Sequence, residues 1–158
     1  MYSKFIEILE KGSGMLITQK SRYGLRAVFE LAKRWGQGPT KISEIAQAQS
    51  IPQRFLESIL RELKQNGILD SRRGSDGGYF LIRPPDELSV DRVIEGLQGP
   101  INPMGCAPGD GVGETGCELY GRCVFLPMWE ETRDAICKVY QKTTFSSLVA
   151  KEKRQQKK

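Results

Sequence analysis

Along residues 21–83 the spacing of the apolar residues changes once, and this change limits the folds that the chain can adopt. Residues 21–35, 40–50 and 50–67 place apolar side chains three and four positions apart, as helices with one buried stripe do. Residues 68–83 instead form two short strand-like runs around the glycine-rich segment GSDG. The sequence therefore predicts three helices and a β-hairpin, the order of a winged helix-turn-helix.

Two more helices are predicted after the hairpin. The segment LSVDRVIEGLQG fits a short helix, and residues 124–142 fit a longer one. A cysteine- and glycine-rich loop, residues 99–123, separates the two. The apolar residues of the longer helix are Phe125, Met128, Trp129, Ile136, Val139 and Tyr140. The predicted fold class is mostly α with a small β-hairpin wing.

The third helix and the hairpin carry side chains that suit a DNA reader. The buried stripe of this helix is predicted as Phe55, Leu56, Ile59, Leu60 and Leu63. Its other face mixes groups that hydrogen-bond base edges with cations that hold phosphates, and two arginines lead into the hairpin tip. The alternative is that these charges only solvate an amphipathic helix. The candidate contacts to double-stranded DNA are Gln53, Arg54, Phe55, Glu57, Ser58, Arg61, Lys64, Arg72 and Arg73.

Three cysteines, Cys106, Cys117 and Cys123, lie in the loop with ten and then five residues between them. The start of the chain lacks a signal-peptide core, so we expect a cytoplasmic protein with reduced thiols rather than a disulfide framework. Zinc sites usually pair ligands about two to four residues apart, and this chain has no histidine. Thiolates on a glycine-rich loop suit an iron–sulfur cluster, and a thiol redox switch without a cluster is the alternative.

Composition excludes several function classes. No apolar run reaches the roughly 18 residues of a membrane span, and the net charge of +5 permits a nucleic-acid partner. The chain has no histidine, no nucleotide-phosphate loop and no matched acid and base on a recognisable frame. We therefore predict no enzyme activity and no small-molecule substrate. A cluster-carrying electron-transfer subunit is a further alternative, less favoured than the regulator.

Three segments resemble a known family. ITQKSRYGLRAVFELA, FLESILRELKQNGILDSRRGSDGGYFLIR and the cysteine loop ahead of PMWEE are similar to the IscR/NsrR/CymR regulators, the Rrf-two family of bacterial winged-helix transcription factors. The resemblance covers residues 16–148. It implies a homodimer on an imperfect palindrome, joined through the long helix after the cysteine loop. It also implies that cluster loading modulates DNA affinity in response to iron, nitric oxide or redox state.

The same resemblance bears on the cluster ligands. The IscR and NsrR branches carry three cysteines in this loop, and Cys117 and Cys123 match their second and third ligands, whereas the gap after Cys106 is longer. We take all three as metal ligands of a 2Fe–2S or 4Fe–4S cluster. Where some relatives have a histidine as fourth ligand this chain has Leu126, so the candidates are Asp110, Glu114, Glu118, a water or a small thiol. Cys137 is predicted to be a packing residue.

The predicted organisation has five parts. These are an N-terminal extension, either native or appended (1–14), a winged helix-turn-helix domain (15–98), a cluster-binding loop (99–123), a dimerisation helix with a packing segment (124–148), and a frayed basic tail (149–158).

Overall fold

The computed structural model describes residues 17–101, 119 and 121–157. The predicted extension of residues 1–14 lies outside the described residues. So do five candidate cluster ligands, namely Cys106, Asp110, Glu114, Cys117 and Glu118.

Six helices and one two-stranded antiparallel sheet form within the described residues. In chain order they are α1 (Gln19–Lys33), α2 (Ile42–Gln49), α3 (Gln53–Gln65), β1 (Leu69–Arg72), β2 (Gly78–Leu81), α4 (Val90–Gln98), α5 (Leu126–Lys142) and α6 (Phe145–Gln155). The predicted class, mostly α with a hairpin wing, is confirmed. In the described part of the chain, no helix is long and apolar enough to cross a membrane.

Helix α1 lies at the centre of the core, where it packs against α2, α3, α4 and α6. Its contact with α4 is close, because a Cβ atom added at Gly24 would lie 2.1 Å from the Leu97 Cδ1 atom. The side chains of α3 that face this core are Leu56, Ile59, Leu60 and Leu63. Their spacing of three and four positions explains why the helix buries one stripe. Helices α2 and α3, the two helices of the helix-turn-helix, thus both pack against α1.

One residue of the predicted stripe is not buried. Phe55 keeps 47% of its surface exposed, so its prediction as a core residue is wrong. It lies one position before Leu56, which is a rotation of about 100° around the helix and moves it off the buried face. An exposed aromatic ring at the start of α3 remains compatible with its other predicted role, a contact to DNA.

The hairpin is joined to the loop before α2 by an isolated β-bridge that the sequence did not predict. Strands β1 and β2 pair in antiparallel register, and the Tyr79 backbone also pairs with Thr40 in the loop before α2. The Thr40 N–H donates to the Tyr79 carbonyl at 2.9 Å, and the Tyr79 N–H donates to the Thr40 carbonyl at 2.8 Å. Gly78 permits this approach, since an added Cβ atom would lie 2.3 Å from the Thr40 oxygen. The wing is therefore fixed to the loop that leads into α2.

The C-terminal segment is more ordered than predicted. Helix α6 runs to Gln155, so most of residues 149–158, predicted as a frayed tail, is helical. It packs on α1, and the Lys33 ammonium lies 3.4 Å from the Glu152 carboxylate. The Phe145 N–H at its start donates to the Leu88 carbonyl, 3.0 Å away, and the Phe145 ring is fully buried. These contacts attach the end of the chain to the helix-turn-helix core.

Candidate nucleic-acid interface and cysteine site

The outer face of α3 is polar and open to solvent. Because Leu56, Ile59, Leu60 and Leu63 take the inner face, five predicted DNA contacts are left on the outside, Gln53, Arg54, Glu57, Ser58 and Arg61. The Arg54 guanidinium lies 4.6 Å from the centre of the Phe55 ring, a distance at which a cation and an aromatic ring attract. The hydroxyl of Ser58 donates to the Phe55 carbonyl at 2.9 Å. This face offers donors, acceptors and one apolar ring.

Lys64 differs from the predicted arginine contacts because, among the described residues, it forms an ion pair. Its ammonium lies 2.8 Å from the Asp70 carboxylate and donates to the Ser71 hydroxyl at 2.7 Å. The hydrogen bond from Lys64, followed by that from the Ser71 backbone N–H, lowers the pKa of Asp70 below its ordinary value. Lys64 thus connects the end of α3 to strand β1.

Two arginines of the hairpin are exposed to solvent. Arg72 and Arg73 are exposed at the end of β1, and within the described residues neither forms an ion pair. Gly74 follows with a positive φ of 108°, which turns the chain at the tip. The hairpin, whose strand β1 packs against α3, therefore presents two exposed guanidinium groups.

A buried carboxylate behind α2 was not predicted. Glu30 is only 4% exposed, and its two oxygens accept hydrogen bonds of 2.9 Å from Arg34 and from Gln49. Lys33 adds a third contact at 3.4 Å, and Arg34 also reaches Glu44 of α2 at 2.5 Å. The cluster holds α2 against α1. The spacing of residues along α1 predicts the contacts of Lys33 and Arg34 with Glu30. It does not predict Gln49 and Glu44, which come from α2.

Acid is expected to destabilise the protein through Glu30. Burial raises the pKa of this carboxyl, but hydrogen bonds from Gln49 and Arg34 and the charge of Lys33 outweigh burial and lower the pKa below 4.5. Because the folded pKa lies below the unfolded one, this contribution to stability is complete above about pH 4.5 and is lost as the pH falls through the folded pKa. Urea unfolding from about pH 7 to pH 3, on the native chain and on Glu30→Gln, measures it.

Glu30→Gln keeps the shape of the side chain and cannot titrate. The variant should therefore be less stable than the native chain near neutral pH and should lose less stability on acidification. Identical slopes of stability against pH in the two proteins would contradict a role for this carboxylate.

Helix α5 has an apolar side without a partner in the described chain. No residue of this helix is fully buried. Ile136, Cys137 and Tyr140 pack partly on the core, whereas Phe125, just before the helix, and Met128 and Val139 within it are exposed. A helix that is anchored on one side and apolar on another is typical of an interface with a second protein surface.

The structure describes only one of the three predicted cluster ligands. Cys123 is a half-buried free thiol that precedes α5, where its carbonyl accepts a hydrogen bond from the Leu126 N–H at 3.1 Å. The other described thiol, Cys137, is also half-buried and packs against the core, as predicted. Among the described residues no group of three or more histidine, cysteine and carboxylate side chains is placed to hold a metal ion.

Comparison with known proteins identifies the family. A family model described as Rrf2, an iron-dependent transcriptional regulator, matches residues 17–151. The chain is 33% identical over 136 residues to the HTH-type transcriptional regulator CymR of Bacillus subtilis strain 168. This alignment covers 86% of this chain and 91% of CymR. It is 30% identical over 135 residues to the HTH-type transcriptional regulator IscR of Pectobacterium carotovorum subsp. carotovorum strain PC1. That alignment covers 85% of this chain and 79% of IscR.

Solved structures agree with this assignment. The structure of CymR, described as the global cysteine regulator of B. subtilis, superimposes with a TM-score of 0.72 at 33% identity and covers 86% of this chain and 97% of that one. The structure of T. potens IscR gives a TM-score of 0.70 at 27% identity, covering 88% and 89%. The curated relatives are named as transcriptional regulators, not as enzymes. The chain therefore belongs to the Rrf2 family of transcriptional regulators.

Proposed function

We propose that this regulator reads DNA with α3 in the major groove and the hairpin on the adjacent backbone. The observation that carries the proposal is that the outer face of α3 is polar and exposed, while Arg72 and Arg73 are exposed on the hairpin whose strand β1 packs against this helix. An α-helix fits the major groove, where side-chain donors and acceptors distinguish base pairs. The exposed ring of Phe55 adds an apolar group suited to a thymine methyl.

The roles divide by chemistry. Gln53, Arg54, Glu57 and Ser58 lie on the first two turns of α3 and are assigned to base edges, whereas Arg61 lies one turn later and is assigned to a phosphate. Arg72 and Arg73 are assigned to phosphates or to a narrow minor groove. Lys64 would reach a phosphate only by leaving Asp70, so its contribution is mainly to hold the hairpin against α3.

The functional unit is a homodimer joined through α5. The apolar residues on the open side of this helix support the proposal, because a second copy of α5 would remove them from water. Two copies related by a twofold axis present two α3 helices, which suits a palindromic operator. With DNA as its ligand, the protein acts in the cytoplasm, where thiols are kept reduced.

Cys106, Cys117 and Cys123 are the residues that would hold an iron–sulfur cluster. The donor set fits this group in its chemistry, since it consists of cysteine sulfurs, the usual ligands of such clusters, and includes a described free thiol at Cys123. When bound, a cluster supplies a centre that responds to iron supply and to oxidants. The family description as iron-dependent supports this choice. Because Cys123 directly precedes α5, its coordination would orient the start of the dimer helix and thereby the spacing of the two DNA-reading heads.

A second candidate keeps the DNA reader and uses the same cysteines as a thiol switch. The observation that favours it is the similarity to CymR, since one solved structure that this chain matches, at 30% identity and a TM-score of 0.64, is described as the oxidized form of Staphylococcus aureus CymR. In this form an oxidant such as a peroxide takes two electrons from two thiolates, which pair as a disulfide while the peroxide is reduced to water. An electron-transfer subunit is disfavoured by the regulator family.

Replacing both hairpin arginines tests the DNA reader. Arg72→Ala/Arg73→Ala is expected to weaken binding to duplex DNA on the order of tenfold or more, because phosphate contacts dominate affinity. The slope of log affinity against log salt should fall by about one for each phosphate that an arginine no longer neutralises. Fluorescence anisotropy of a labelled duplex, measured across a salt series, reports both quantities.

Arg92→Ala is the matched control. Arg92 is an exposed arginine on α4, away from the hairpin tip, so this variant removes the same charge elsewhere. If it weakens DNA binding as much as the loss of one hairpin arginine does, the effect comes from net charge and the hairpin assignment is wrong.

A further inference from the structure

A cavity lies between α1 and the hairpin. Its volume is about 300 Å³, which is the lower end of the ~300–1,000 Å³ range for ligand pockets. Its walls come from the end of α1, the loop before α2 and the two strands. The lining residues that matter here are Leu31, Trp35, Pro39, Arg72, Phe80 and Leu81.

The cavity has an apolar floor and a rim formed partly by a loop. Leu31 and Leu81 are each only 3% exposed, so they form an apolar base that is part of the core. The pairing of Thr40 with Tyr79 holds one wall to the other. The rim includes Gly36, whose positive φ of 81° lies in the conformational region that glycine adopts readily. A preformed apolar base with a loop at its edge is the usual form of a ligand site.

Two aromatic rings and one available cation define the chemistry of the ligand. Trp35 is 44% exposed, so its ring is open to a molecule in the cavity, and Phe80 lines the wall formed by the strands. Arg72 and Phe80 share one face of the hairpin, because Asp70 pairs with Phe80 and residues two apart on a strand point the same way. Within the described residues Arg72 has no carboxylate partner.

The second guanidinium at the cavity is already neutralised. Arg34 holds Glu30 at 2.9 Å and Glu44 at 2.5 Å, so it offers little charge to a ligand. One free guanidinium balances one negative charge, and the planar fork of arginine matches a carboxylate. The volume admits one aromatic ring with a short side chain.

We propose that this cavity binds a small aromatic monocarboxylate, with its ring against Trp35 and Phe80 and its carboxylate on Arg72. Since Arg72 is also a proposed DNA contact, the ligand competes with a phosphate for the same guanidinium. This consequence rests on the proposed function: ligand binding weakens DNA binding, and DNA weakens ligand binding by the same factor. The cavity would make the regulator responsive to a metabolite independently of its cysteines.

Phenylacetate and benzoate are the probes for a direct test with the full chain. Saturable quenching or enhancement of Trp35 fluorescence is expected, and the signal should disappear in Trp35→Phe. Saturation-transfer NMR of the probe measures binding without relying on tryptophan. Benzyl alcohol, which has the ring without the charge, and acetate, which has the charge without the ring, should bind on the order of tenfold or more weakly.

Two neighbouring arginines provide the matched variants. Arg72→Ala should weaken phenylacetate binding on the order of tenfold or more, whereas Arg73→Ala should leave it unchanged, because Arg73 does not line the cavity. Absence of saturable binding of both probes up to about 10 mM, a weak-fragment affinity, would overturn the proposal. Equal binding in the two variants would also overturn it.

DNA binding is measured separately, so the two proposals can fail independently. A labelled duplex that binds without ligand establishes the DNA reader, and added phenylacetate should then lower its affinity on the order of tenfold. If phenylacetate binds but does not change the affinity for the duplex, the ligand site is supported. The proposed competition for Arg72 is then wrong.

Discussion

Phe145→Ala is expected to lower the free energy of unfolding by about 3–5 kcal/mol, the usual loss for a buried phenylalanine. Phe145 is the largest of the fully buried side chains among the described residues. It packs where α4, the end of α5 and the start of α6 meet, with its backbone N–H bonded to the Leu88 carbonyl. Truncation to alanine removes the ring and leaves a cavity that backbone pairing on both sides prevents from collapsing.

Urea unfolding at a fixed protein concentration measures this loss, since dimer formation would make stability depend on concentration. Phe55→Ala is the matched control, because it removes the same ring from an exposed position on α3 and should change stability by less than about 1 kcal/mol. If Phe145→Ala does not fold, Phe145→Leu keeps most of the volume and should lose about 1.5 kcal/mol or less. Equal losses at Phe145 and Phe55 would show that α6 is not anchored through this ring.

The position of Phe145 also explains why the sequence did not predict α6. The segment FSSLVAKEKRQ has few apolar residues and ends in charges, which resembles a solvated tail. Its helix is stabilised by tertiary contacts: Phe145 is buried, Leu148 and Val149 pack on the core, and Glu152 meets Lys33 of α1. Lys33 and Glu152 lie 119 positions apart, and Phe145 bonds to Leu88 in another segment, so local spacing does not predict these contacts.

Other elements were predictable because their signal is local. The stripe of Leu56, Ile59, Leu60 and Leu63 lies within one helix, and it alone sets which side of α3 is exposed. The hairpin was predicted from the change in apolar spacing at Ile68 and the glycines at its tip. The exposed candidates on α3 can therefore be predicted from the sequence. The exception is Phe55, which was predicted to be buried and is exposed.

The features of the site that the sequence missed depend on pairs of distant residues. The bridge between Thr40 and Tyr79 is a single pair, too short to give an alternating pattern. The sequence did not predict the ion pair of Lys64, because its partner Asp70 lies in strand β1 and not on the same helix at a three- or four-residue spacing. The cavity beside Trp35 is lined by both the loop before α2 and the hairpin, which that bridge joins. The sequence thus predicted which side of α3 is exposed, apart from Phe55, but it did not predict which distant residues pair with one another.

Replacing Cys106, Cys117 and Cys123 together by serine is expected to abolish iron binding. The native chain, purified without oxygen, should absorb visible light and contain iron and sulfide in equal amounts, about two or four of each per subunit. Serine lacks the thiolate that binds the cluster, so the triple variant should be colourless and free of both. Visible absorption with iron and sulfide analysis measures this directly.

Cys137→Ser is the matched control, because it removes a thiol that packs on the core and lies on α5 outside the loop. This variant should keep the colour, the iron and the sulfide. Circular dichroism and DNA binding on all three proteins separate loss of metal from loss of fold, since the helix-turn-helix does not include the loop. A colourless native chain whose thiols pair on oxidation would replace the cluster by the thiol switch. The DNA reader would stand in that case, because its surface is formed by α3 and the hairpin, whose core side chains come from residues 27–101 and Phe145.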